Sequence, residues 1–136
     1  MKNNGVIGLF KLLSDETRVR ILVLLARKEL CVCQLMGVLG ISQPLISRNL
    51  SLLSNAGLLD ERRDGKLIFY CVRKKLPSYA GNILNILKKE LDQDKKFIED
   101  MQSLKDCHEF QKMTGKCDMK TFLESMEKQR KKMERR

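Results

Sequence analysis

Two cysteines stand one residue apart, at 31 and 33, in the run ELCVCQL. A thiol pair can hold a soft metal or metalloid, form a disulfide, or pack as small apolar groups. The spacing is too short for the Cys-x-x-Cys of zinc or thioredoxin-like chemistry. On a helix, side chains two residues apart project about 200° from one another. A helix running from Cys31 to about Leu39 therefore sets the two sulfurs on nearly opposite faces, and a single ion reaches both only if the first turn unwinds. Three further cysteines, Cys71, Cys107 and Cys117, bring the total to five. An odd number argues against a purely structural disulfide framework, and in the cytoplasm all five are expected to be reduced.

The other reactive residue types narrow the function. The chain has one histidine, His108. It has no Ser/His/Asp set, no phosphate-binding glycine loop and no paired histidines, so the residues do not describe an enzyme. The formal charge is +10 over 136 residues, with +7 from residues 1–95 and +3 from residues 96–136. A small basic chain points to a polyanionic partner, nucleic acid before membrane surface. The apolar run Ile21–Ala26 is short and lies between Arg20 and Arg27. No transmembrane or secretory segment is read, and the expected location is the cytoplasm. Apolar residues make up 43% and aromatics 5%, without tryptophan, which gives an aliphatic core in one domain, residues 1–95, with a basic helical extension at 96–136.

The elements that position these residues follow from periodicity. Residues 5–13 form an apolar entry helix. Ser14 is placed to cap the next helix, which runs to Arg27 with Val19, Leu22, Val23 and Ala26 on one face. Gly40 closes the short helix that follows Cys31. Ser42 caps another helix, with Pro44 tolerated in its first turn and Leu45, Ile46, Leu50 and Leu53 as the buried stripe. The period then changes, and Asp64-Gly65 marks a two-stranded hairpin over Leu58–Val72, with Cys71 in its core. A long helix after Pro77 carries Ile83, Leu84, Leu87 and Leu91, extended by Phe97, Ile98, Met101 and Leu104, and this stripe is read as a dimer interface. Residues 107–117 are read as a loop turning at Gly115. Phe122, Leu123 and Met126 carry a further helical stripe.

Helix, helix, tight turn, helix and hairpin is the order of a winged helix-turn-helix. The fold expected is mainly α with a small β-hairpin, dimeric, with a helical C-terminal extension. The polar tip of the second helix, Ser42, Gln43, Ser47, Arg48 and Asn49, suits base edges and phosphates in a major groove. Arg62, Arg63 and Lys66 flank the hairpin turn, where a wing reaches the backbone or the minor groove.

Four segments, LSDETRVRILVLL, ELCVCQL, ISQPLISRNLSLLSNAGLL and RRDGKLIFYCV, resemble the ArsR/SmtB family of metal-responsive repressors. The likeness spans about residues 6–91 and is strongest to arsenical-resistance repressors. It implies a homodimer on double-stranded operator DNA, released when As(III) or Sb(III) binds thiolates at Cys31 and Cys33. It also marks departures: Leu45 where lysine is common, Asn49 where histidine is common, and Gln34 where an aspartate usually follows the second cysteine. A third cysteine found in some of these repressors falls at Met36, which leaves Cys107 and Cys117 as third ligands or, with His108, as a separate site. The Cd(II)/Pb(II) branch shares the Cys-Val-Cys element but adds an N-terminal cysteine, and none precedes Cys31. The zinc/cobalt branch uses paired Asp/His and His/Glu ligands on its last helix, whereas the one histidine here is His108. A Cd(II)/Pb(II)-responsive repressor, or a thiol-redox repressor using Cys31/Cys33 or Cys107/Cys117, is the alternative on the same scaffold.

Overall fold

The computed structural model describes residues 5–114 of the chain. Helix α1 spans Gly5–Leu12 and α2 spans Glu16–Arg27. Strand β1, Leu30–Cys31, leads directly into α3, Val32–Leu39, and a tight turn joins α3 to α4, Gln43–Asn55. Strands β2, Leu59–Asp64, and β3, Leu67–Val72, form the hairpin. Helix α5, Ser78–Glu90, passes through a 3₁₀ turn, Leu91–Gln93, into α6, Lys95–Thr114. The winged helix-turn-helix read from the sequence is present, mainly helical with a small antiparallel sheet.

Helix ends follow local chemistry. Asp15, not Ser14, caps α2: its extended backbone aims the carboxylate at the Arg18 N–H, 3.1 Å away. Ser14 instead finishes α1, donating its hydroxyl to the Lys11 carbonyl at 2.7 Å. Gly40 ends α3 at φ 67°, a left-handed backbone that glycine adopts without a Cβ clash. The core is aliphatic and continuous, with Ile21, Leu24, Leu35, Ile46 and Leu53 buried at the junction of α2, α3 and α4.

The sheet has three strands, ordered β1-β3-β2, where two were expected. Leu30 pairs with Tyr70 and Cys31 with Phe69, both antiparallel. Asp64 pairs with Leu67, so the two hairpin-loop residues are Gly65 and Lys66, one position on from the expected Asp64-Gly65. Gly65 takes the left-handed conformation, φ 61°, that the first position of such a turn needs. Cys71, expected in the core, lies half-buried on β3. All six β3 residues are partly covered, with Tyr70 and Val72 packed against the core.

The single long helix expected after Pro77 is two helices. Asp94 is extended and accepts the Lys96 N–H on its carboxylate at 3.0 Å, starting α6 in a new direction. Helix α6 packs back on α2 and α3. Phe97, Asp100, Leu104 and Cys107, at three- and four-residue spacing, are its buried face. That half of the apolar stripe thus covers this chain's own core, while Ile98 remains exposed. Arg20 of α2 meets Asp100 through two parallel hydrogen bonds of 2.8 Å and also donates to the Leu39 carbonyl at 3.4 Å. The Asp100 bond holds the Arg20 guanidinium above its ordinary pKa. Residues 107–114, read as loop, continue α6, since no glycine or proline interrupts them. Gly115, Cys117 and the Phe122/Leu123/Met126 stripe lie outside the described residues.

Candidate thiol site and nucleic-acid interface

Cys31 is the last residue of β1 and the N-cap of α3, with extended backbone at φ −94° and ψ 173°. Cys33 is the second residue of α3. Because Cys31 precedes the helix, the helical separation does not apply, and the two sulfurs lie 3.1 Å apart. That is longer than a disulfide of about 2.05 Å and within the span of one ion bonding to sulfur at about 2.3 Å. The expectation that the first turn of α3 must unwind to unite the thiols is therefore corrected. The extended strand residue already turns its side chain toward Cys33.

Both cysteines are buried, 1% and 4% exposed. Gln34, also buried, accepts the Cys31 N–H on its side-chain oxygen at 2.9 Å, the reach-back of a capping box. The residue that departs from the resembling family is thus what holds the first cysteine's backbone. Both cysteines stand at the start of α3, where the backbone N–H groups of the first turn favour negative charge. Among the described residues no cluster of three or more His, Cys, Asp or Glu side chains is placed to hold a metal ion. His108 is exposed on α6, its Nδ1 2.7 Å from the Lys28 ammonium. Burial, then Glu29 and Asp60, push the Cys71 thiol up.

Helix α4 presents Ser42, Gln43, Ser47 and Arg48 to solvent. Asn49 does not belong with them. It is 3% exposed, its amide donating to the Leu45 carbonyl at 2.9 Å and its oxygen accepting from Arg18 at 3.4 Å. The signal was in the spacing, because positions 46, 49, 50 and 53 form one helical face. Leu45, expected in the buried stripe, is 42% exposed, and Asn49 takes its place on the inner face.

The wing's basic residues fall into two groups. Arg63 and Lys66 are exposed near the hairpin tip. Arg62 is engaged across the sheet, its Nε and Nη2 donating to one Glu29 oxygen at 2.9 and 2.7 Å. Its guanidinium lies 4.8 Å from the centre of the Phe69 ring. Phe69 is the ladder partner of Cys31, so the thiol pair and the wing share one strand pairing. Sequence reasoning missed this link because a two-residue strand has no period.

Known proteins agree with this architecture. Residues 15–61 match the model of a bacterial regulatory protein family, the arsR family. The chain is 48% identical over 80 residues to the arsenical resistance operon repressor of Escherichia coli K12, covering 58% of this chain and 68% of that one. A cadmium resistance transcriptional regulatory protein from Listeria innocua is 39% identical over 70 residues, covering 51% and 59%. The homodimeric winged helix-turn-helix DNA-binding domain Mb0332 from Mycobacterium bovis, a possible ArsR-family regulator, superposes with a TM-score of 0.53 at 26% identity, covering 66% and 81%. From the helix-turn-helix, the wing and these likenesses together, the chain belongs to the arsR family of bacterial regulatory proteins, DNA-binding transcriptional repressors rather than enzymes.

Proposed function

We propose that this metal-responsive repressor binds operator DNA as a homodimer and is released when As(III) or Sb(III) is bound by Cys31 and Cys33. The observation that carries the reading is the 3.1 Å separation of two buried sulfurs at the junction of both DNA-facing elements. Trivalent arsenic and antimony are soft centres that prefer thiolate, and the pair holds two sulfurs side by side. Both thiols lose their protons on binding, and the S–H···S contact between them is lost. Cys31 is tied to β3 by the sheet, and Cys33 begins the helix that Gly40 joins to α4. A change at the pair therefore moves wing and recognition helix relative to each other. The inducer's preference for one of the two arrangements is the coupling that releases DNA.

On the DNA side, Ser42, Gln43, Ser47 and Arg48 enter the major groove, and Arg63 and Lys66 meet the backbone. Arg62 serves the link to Glu29. Dimerisation is supported by exposed Val6, Ile7 and Phe10 on α1, which packs against α5, where Ile86 is exposed. Residues 1–95 are the DNA-binding domain, and 96–136 are an extension whose α6 lies against it. No helix among the described residues is long and apolar enough to cross a membrane, and we place the protein in the cytoplasm.

The same sulfur proximity supports a second reading, release by Cd(II), Pb(II) or oxidation to a disulfide. Operator binding followed by fluorescence anisotropy under strict reduction separates them. As(III) is expected to release the wild-type chain and not the C31S/C33S double variant. Equal release of both moves sensing to Cys107/Cys117. Release by peroxide alone, reversed by thiol reductant, establishes the redox reading instead.

A further inference from the structure

We infer that Leu45 is a base-reading residue, placed to pack against the C5-methyl group of a thymine in the operator's major groove. The inference rests on the operator-binding reading above and names the base that this helix selects. Leu45 is in the first turn of α4, between exposed Gln43 and exposed Ser47, with Arg48 one turn on. The helix buries Ile46, Asn49, Leu50 and Leu53, and Leu45 lies outside that face at 42% exposure. A second leucine, Leu52, is 39% exposed seven residues on, along the same edge. The backbone beneath Leu45 is fixed, since the buried Asn49 amide donates to its carbonyl at 2.9 Å.

These observations together select the occupant. An apolar side chain on the polar tip of a groove-reading helix finds one apolar group on a base edge in the major groove, the thymine methyl. The +10 charge of the chain and the Arg48 guanidinium beside it favour a phosphate-flanked partner over an apolar protein surface. Water offers Leu45 nothing in the free protein, whereas a methyl group in the groove removes both apolar surfaces from solvent. Burying one such carbon contributes about 0.8 kcal/mol, a factor of about 4 in affinity for each half-site.

The test uses the full chain and a random duplex pool. Duplexes enriched by the wild type are resynthesised with deoxyuridine replacing each thymine in turn, which removes only the methyl. One thymine per half-site is expected at which this replacement weakens wild-type binding about 4-fold. The Leu45→Ala variant, which loses the contact in both half-sites, is expected to bind the thymine duplex about 16-fold less tightly and to treat both duplexes alike. Leu45→Met, which keeps the apolar reach, retains the discrimination. Indifference of the wild type to every replacement, or discrimination that persists in Leu45→Ala, overturns the inference. If no duplex is enriched by the wild type, the operator-binding reading itself falls, a result distinct from the first two.

Discussion

Arg62 places two guanidinium nitrogens on a single oxygen of Glu29, at 2.9 and 2.7 Å, across the sheet that joins the thiol pair to the wing. Glu29 stands just before β1, and Arg62 lies over the ring of Cys31's ladder partner. The pair is solvent-exposed, so its contribution to stability is small. Its position makes it a coupling element.

Replacing Glu29 with Gln is therefore expected to leave the thermal midpoint nearly unchanged. The drop in operator affinity caused by As(III) should shrink about 5-fold, the lower end of ordinary coupling energies. The ratio of operator affinities with and without As(III) measures this directly. A ratio equal to wild type removes the pair from the switch.

Arg48 and Asn49 are sequence neighbours with opposite expected roles. Arg48→Ala should weaken operator binding and flatten the slope of log affinity against log salt by about one, with stability unchanged. Asn49→Ala strips partners from Arg18 and the inner face of α4, and should cost about 1–3 kcal/mol in denaturant unfolding. A stable Asn49→Ala protein with selectively lost base discrimination would return Asn49 to the DNA face.

The Arg20–Asp100 pair is nearly enclosed, with side chains 11% and 4% exposed. Asp100→Ala leaves a largely buried guanidinium opposite the Leu39 carbonyl. Removing one partner of such a pair costs about 3–5 kcal/mol, somewhat less where Arg20 keeps contact with solvent. Chemical denaturation gives the number, and amide exchange in α6 should rise together with that of α2. Loss confined to α6 would show that the helix is held independently.

Cys71 and Tyr70 both have raised pKa values, burial being the first cause in each. The folded state therefore retains their protons at a pH where the unfolded chain has begun to lose them. Their contribution to stability is complete below the unfolded values and falls as pH rises through the folded ones, above about pH 9. Alkylation of Cys71 followed by mass spectrometry should be slow at neutral pH and still accelerating above the ordinary thiol value. A rate that levels off near the ordinary thiol value would contradict the shift.

Much of this architecture is legible in local pattern. Gly40, Pro44 and Gly65 mark the turn, the helix start and the hairpin through backbone preferences that need no tertiary context, whereas Ser42 holds the N-cap position of α4 without a side-chain cap bond. The polar tip of α4 shows in Gln43, Ser47 and Arg48. What local pattern misses depends on distant partners. Cys31 reads as helical because Val32–Leu39 is helical, and only pairing with Phe69, thirty-eight positions away, makes it a strand residue. Asn49 shares the face of Ile46, Leu50 and Leu53 in its spacing, but its partner Arg18, thirty-one positions away, is not legible there. The break at Asp94 is hidden because apolar residues keep helical spacing on both sides of it. The identity of the thiol pair was plain in the sequence, whereas its geometry was not.

The burial of Cys31 and Cys33 has a kinetic consequence. With the sulfurs 1% and 4% exposed, encounter in solution does not bring an ion to either one. The site must first open, and β1, two residues long, lies at the edge of the sheet beside it. At low inducer the response rate rises with concentration. At high inducer it reaches a plateau set by how often the protein exposes its thiols, so the tempo of derepression belongs to the fold and not to the dose.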